Sequence, residues 1–136
     1  MTHNNILRMS KTHLAHISVR APTVSLPRRR TPLKITKDTF HSFLNDNKDT
    51  LSVVNIHHHM CSPCRQVVPK VEEWCNEYDD YAFGFLEYDK ENKALLQHLG
   101  VFIVPTVQVY NNNIKIMEVT GVSHLDKVRQ FLNMFY

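Results

Sequence analysis

No acidic residue occurs in the first 37 positions of this 136-residue chain, and no apolar run approaches the eighteen or so residues of a membrane span. The second absence excludes a spanning helix. With 43% apolar and 21% charged residues, the composition is that of a soluble globular domain. The first absence explains the charge. Residues 1–37 hold Arg8, Lys11, Arg20, Arg28, Arg29, Arg30, Lys34 and Lys37, so the eight remaining basic residues face thirteen acids over residues 38–136. The net charge of +3 therefore belongs to the N-terminus, and the basic balance is no argument for a nucleic-acid partner. Cysteine is scarce as well. Cys61, Cys64 and Cys75 form an odd set, unlike the even and denser set of a secreted disulfide scaffold. Internal repeats, low-complexity stretches, a second CxxC and an HxxxH pair are all missing.

What is present begins with a basic leader, residues 1–32. It is rich in Ser, Thr, His and Arg, and Ile6, Met9, Leu14 and Ile17 fall roughly on one helical face. Two outcomes suit this composition: a disordered tail, or a mitochondrial transit peptide, with a cytoplasmic location as the alternative. No continuous apolar stretch follows the basic residues, which argues against a secretory signal. Pro22, Pro27 and Pro32 break any helix before a domain spanning 33–136.

Within that domain, periodicity predicts β-α-β-α-β-α-β-β-α. Strands are expected at Leu33–Thr36, Leu51–Ile56, Ala82–Tyr88, Val104–Tyr110 and Ile114–Thr120. Helices are expected at Lys37–Asn45, after the CxxC, at Glu91–Leu99, and from Ser123 as N-cap. Val67, Val71, Trp74, Cys75 and Tyr78 form a helical stripe that contains Pro69, a kink site. Asn111-Asn112-Asn113 suits a tight hairpin turn, because Asn tolerates left-handed backbone. Alternation of this kind implies an α/β fold: a central mixed sheet with helices on both faces.

The chemistry concentrates at Cys61-Ser62-Pro63-Cys64, which follows a buried strand and opens a helix. Free N–H groups and the helix dipole favour the thiolate there, making Cys61 a nucleophile. Cys64, one turn on, is placed to resolve a mixed disulfide. Pro63 fits a first helical turn, where its missing N–H is not needed.

Strand-CxPC-helix, Pro69, Val104-Pro105-Thr106 and Gly121 occur in the order that marks thioredoxins, and residues 33–136 resemble that family. The resemblance implies the thioredoxin fold and a thiol-disulfide oxidoreductase that reduces protein disulfides, Cys61 attacking and Cys64 resolving. It implies no cofactor beyond the Cys61–Cys64 disulfide, no metal, a monomer, and recharging by an NADPH-dependent thioredoxin reductase. It also implies a cis peptide bond at Pro105. Met60, Ser62, Pro63, Val104, Pro105, Thr120, Gly121 and Val122 would form the surface that receives an extended substrate segment.

Departures from the family pattern bear on proton handling. Met60 replaces a Trp, keeping an apolar contact without the ring. Asn55 replaces a buried Asp, and Phe85 the Lys that accompanies it. Asn55 can hydrogen-bond but cannot accept a proton from Cys64, so exchange is expected to be slower or to use another base. His57, His58 and His59 stand nearby, and His59 is the candidate for that base; a solvated histidine run at a strand end is the plainer account. Two rival functions follow. One is a thioredoxin-like binding module with weakened redox chemistry. The other is a Cys/His metal site, which strand alternation disfavours because it sends successive histidines to opposite faces. Cys75, on the apolar stripe beside Trp74, is expected to be a buried structural thiol.

Overall fold

The computed structural model describes residues 29–136. Residues 1–28, most of the leader, lie outside the described residues. Five strands form one sheet in the order β1-β3-β2-β4-β5. β1 (Leu33–Ile35), β3 (Ala82–Glu87) and β2 (Leu51–His57) run parallel, and β4 (Thr106–Asn111) and β5 (Ile114–Thr120) complete the sheet antiparallel. Four helices cover it: α1 (Phe40–Asp46), α2 (Cys64–Glu77), α3 (Lys93–His98) and α4 (Leu125–Phe135). The expected mixed sheet is therefore present.

β2 is buried on both faces, which is why its sequence reads as a nearly continuous apolar run. Its residues alternate between two cores. Leu51 and Val53 pack with Val67, Val71 and Trp74 of α2 and with Val128 and Leu132 of α4. Val54 and Ile56 pack on the other side with Phe40, Phe43 and Leu44 of α1 and Leu96 of α3. Cys75 is buried in the first core, as its place on the stripe suggested. Burial pushes its thiol pKa up, opposed by Arg30.

Several boundaries differ from expectation. β4 begins at Thr106, because the Val104–Pro105 bond is cis and Pro105 has no N–H to give the ladder. α4 begins at Leu125 with His124, not Ser123, at the cap, and no side chain caps it. The hairpin turn is Asn112-Asn113, with φ of 51° and 65°, the left-handed pair a two-residue turn requires. Arg30, counted with the leader, is bound to the domain. Its backbone N–H donates to Asn76 Oδ1 at 2.8 Å, and Asn76 Nδ2 donates to its carbonyl at 2.9 Å.

Candidate active site

The end of β2 sets the site. In the ladders Ile56 pairs with Thr106, and Thr106 with Thr120. His57 to Cys61, Pro105 and Gly121 therefore all continue from the same edge of the sheet. The Gly121 N–H donates to the Pro105 carbonyl at 2.8 Å, joining the two segments beyond that edge. Gly121 has φ +73°, a conformation that favours glycine. Thr106 Oγ1 donates to the Ile103 carbonyl at 2.6 Å, bracing the turn into the cis bond.

Cys61 and Cys64 are joined as a disulfide with Cα atoms 5.3 Å apart. Cys64 is the first residue of α2 and is buried; Cys61 lies three residues earlier and is half-exposed. The Cys64 N–H, one of the helix's free donors, points to Cys61 Sγ at 3.2 Å. A donor so placed stabilises negative charge on Cys61 sulfur after reduction. Pro63 takes the cap position before α2, where the absent N–H leaves nothing unsatisfied. The accessible thiol is thus the one beside the helix donors, and the buried thiol is the one a turn behind it.

Around the dithiol, Met60 is 74% exposed, and Ser62, Pro63 and Thr120 are exposed. Val104, Gly121 and Val122 are half-buried, and Pro105 is buried. Phe102 and Ile103, which the sequence did not single out, are 68% and 60% exposed beside the cis bond. Asn55 lies one ladder position inward. It is fully buried, and neither atom of its amide has a hydrogen-bond partner among the described residues.

The histidines are organised by Glu87, at the end of β3. Its Oε1 lies 3.2 Å from His59 Nδ1 and accepts the His59 N–H at 3.3 Å. Its Oε2 lies 3.6 Å from His57 Nε2. Burial lowers the His57 pKa, opposed by the Glu87 carboxylate and assisted by His58 and His59. Among the described residues, no group of three or more His, Cys, Asp or Glu is arranged to hold a metal ion. Spacing gave no sign of Glu87, because its meeting with the histidines depends on the β2–β3 register, in which His57 pairs with Glu87.

The family model for thioredoxin matches residues 31–134. This chain belongs to the thioredoxin family. It is 32% identical to the chloroplastic thioredoxin F2 of Arabidopsis thaliana, over 68% of this chain and 50% of that protein. It is also 32% identical to the chloroplastic F-type thioredoxin of Pisum sativum, over 89% of this chain and 68% of that protein. The chain thus spans about half the length of the Arabidopsis relative. Thioredoxin f from spinach chloroplast superposes with a TM-score of 0.73 at 31% identity, covering 77% of this chain and 93% of that one. A thioredoxin f2 solved in complex with ferredoxin:thioredoxin reductase gives 0.72 at 27% identity, over 78% and 96%. The thioredoxin fold is therefore established, and its redox couple, the Cys61–Cys64 disulfide, is part of the chain.

The same relatives correct the mitochondrial expectation, since they are chloroplastic proteins. The physical reason is that Arg- and Ser-rich, acid-poor leaders serve both organelles, so composition alone does not choose between them.

Proposed function

We propose that this chain is a protein-disulfide reductase of the thioredoxin family working through Cys61 and Cys64. The observation that carries the reading is the Cys64 N–H directed at Cys61 Sγ, across a formed disulfide at the start of α2. In the reduced chain, the Cys61 thiolate attacks one sulfur of a substrate disulfide. A Cys61–substrate mixed disulfide forms and the other substrate sulfur leaves as a thiolate. Cys64, deprotonated, then attacks Cys61 Sγ. The mixed disulfide breaks, the second substrate thiolate leaves, and the Cys61–Cys64 disulfide is restored. Two electrons pass to the substrate, whose two thiolates take up the two protons that the cysteines release.

Met60, Ser62, Pro63, Val104, Pro105, Thr120, Gly121 and Val122 are proposed to receive the substrate segment. Their support is position: all continue from the sheet edge that carries the dithiol. The oxidised pair requires a reductase partner, and the thioredoxin f2 complex with ferredoxin:thioredoxin reductase favours one of that class. Nothing in that relative supports NADPH dependence. A plastid address agrees with the chloroplastic relatives.

The test assays the full chain for reduction of a protein disulfide, with dithiothreitol as electron source, beside Cys61→Ser. Loss of the activity in the variant is expected. Equal rates would overturn the reading and leave a binding module built on the thioredoxin fold.

A further inference from the structure

Glu87 stands apart from the residues to which the thioredoxin pattern gives a role, yet it meets the segment that delivers Cys61 at two points, His57 and His59. The carboxylate is 23% exposed and has imidazoles on both sides, His57 Nε2 at 3.6 Å and His59 Nδ1 at 3.2 Å. It also accepts the His59 backbone N–H. Glu87 is braced in turn: its carbonyl accepts from Nδ2 of buried Asn92 at 3.0 Å, and Asn92 N–H donates to Asp89 Oδ1 at 2.9 Å.

The segment from His57 to Cys61 carries further ties. The His57 carbonyl accepts the Tyr88 N–H at 2.7 Å, and the His58 carbonyl accepts the Cys61 N–H at 3.0 Å. His58 Nδ1 accepts the Met60 N–H at 3.0 Å, which requires that nitrogen to be unprotonated. The contact of His59 calls for the opposite state, a ring N–H directed at the carboxylate. The two His58 bonds fix the loop from within, and Glu87 and the Tyr88 N–H tie it to the end of β3.

We propose that Glu87 is a positioning residue for disulfide exchange, anchoring the His57–Met60 loop and coupling Cys61 reactivity to the protonation of His57. This rests on the reading of Cys61 as the attacking thiol. His57 opens the segment that leads to Cys61; positive charge on that segment favours the Cys61 thiolate, and the Glu87 carboxylate 3.6 Å from His57 Nε2 favours the imidazolium. The groups acting on His57 are Glu87 from β3 and His58 and His59 from the loop. Asp89 is turned onto Asn92, and α2 contributes the dithiol itself.

The test compares the reduced full chain with Glu87→Gln and Glu87→Asp. Alkylation of Cys61 by iodoacetamide is followed by mass spectrometry against pH, and the histidines are titrated by NMR. In Glu87→Gln the His57 midpoint should fall by about half a pH unit or more, since the carboxylate that opposes burial is gone. The Cys61 profile should move to higher pH, with alkylation near pH 6 about threefold slower. Glu87→Asp, which keeps the charge, should recover part of the shift. A Glu87→Gln profile that overlays wild type overturns the proposal, including when the variant melts at lower temperature, since that would show a structural role alone. Wild type without Cys61-dependent disulfide reduction would overturn the functional reading and the role of Glu87 with it. An active wild type with overlapping profiles would overturn Glu87 alone.

Discussion

Asn55 and Phe85 are register partners across the parallel β2–β3 ladder, on the face covered by α2 and α4. The thioredoxin pattern has an acid and a lysine at these positions, and this chain has exchanged both. An amide left buried without partners costs about 1 to 3 kcal/mol, so Asn55 is a weak point in a strand otherwise well packed. Asn55→Val removes the orphaned atoms, and a β-branched residue suits the strand. The expected result is a gain of about 1 kcal/mol in chemical denaturation. A loss of similar size would show that the amide is satisfied in solution.

Restoring the pair should show coupling. Asn55→Asp alone buries a carboxylate without a cation, which raises its pKa in the folded state. The folded chain then holds its proton more tightly, so the variant should lose stability as pH rises above about 4. Phe85 is half-buried, and a lysine there can carry its ammonium outward along its stem. The double variant Asn55→Asp/Phe85→Lys should be less destabilised at pH 7 than the sum of the two singles, by about 1 kcal/mol. Denaturant titration of all four proteins reads this directly, and strict additivity would remove the coupling.

How far the fold and site were legible depends on how local each feature is. β2 could be read from Leu51–Ile56 because burial on both faces leaves an unbroken apolar run. The dithiol and Pro63 were legible because their chemistry lies within four residues. The start of β4 was misplaced by two residues, since Val104 looks like strand and only the cis bond takes it out. Glu87 was invisible, because strands distant in sequence bring it to the histidines. Arg30 was hidden as one of three consecutive arginines. The compartment was misread because the two organelles accept similar leaders.

Arg30 supplies the next prediction. Its guanidinium donates to the Cys75 carbonyl from Nε at 3.1 Å and Nη2 at 2.6 Å, and from Nη2 to the Tyr78 and Tyr81 carbonyls at 3.1 Å each. These carbonyls lie at or just beyond the C-terminal end of α2, where acceptors lack helical partners and cations are favoured. Arg30→Ala should cost about 2 kcal/mol and lower Tm by roughly 8 °C. Lysine should recover little, having no planar fork to span three carbonyls. Calorimetry of the two variants checks the order.

Gly84 tests the packing between β1 and β3. A Cβ built there would overlap the Ile35 side chain, which fills the space above the glycine. Both residues are buried, so Ile35 has little room to move. Gly84→Ala should destabilise by about 1 to 3 kcal/mol. Adding Ile35→Val should recover part of that loss, which separates crowding from any backbone effect.

The last prediction follows from the sign of the His57 shift. Burial lowers its pKa in the folded chain, with the Glu87 carboxylate opposing, while the unfolded value stays near 6.5. Between the two values the unfolded chain binds more protons, so this residue's share of stability is complete above about pH 6.5. It should fall away as pH drops toward the folded value. His57→Gln removes the titration. Its stability should vary less than wild type between pH 7 and pH 5, as measured by urea unfolding at each pH. Glu87→Gln should steepen the wild-type slope instead, because burial then acts without the opposing carboxylate. Parallel slopes for all three proteins would show that the imidazole of His57 titrates alike in the folded and unfolded chains.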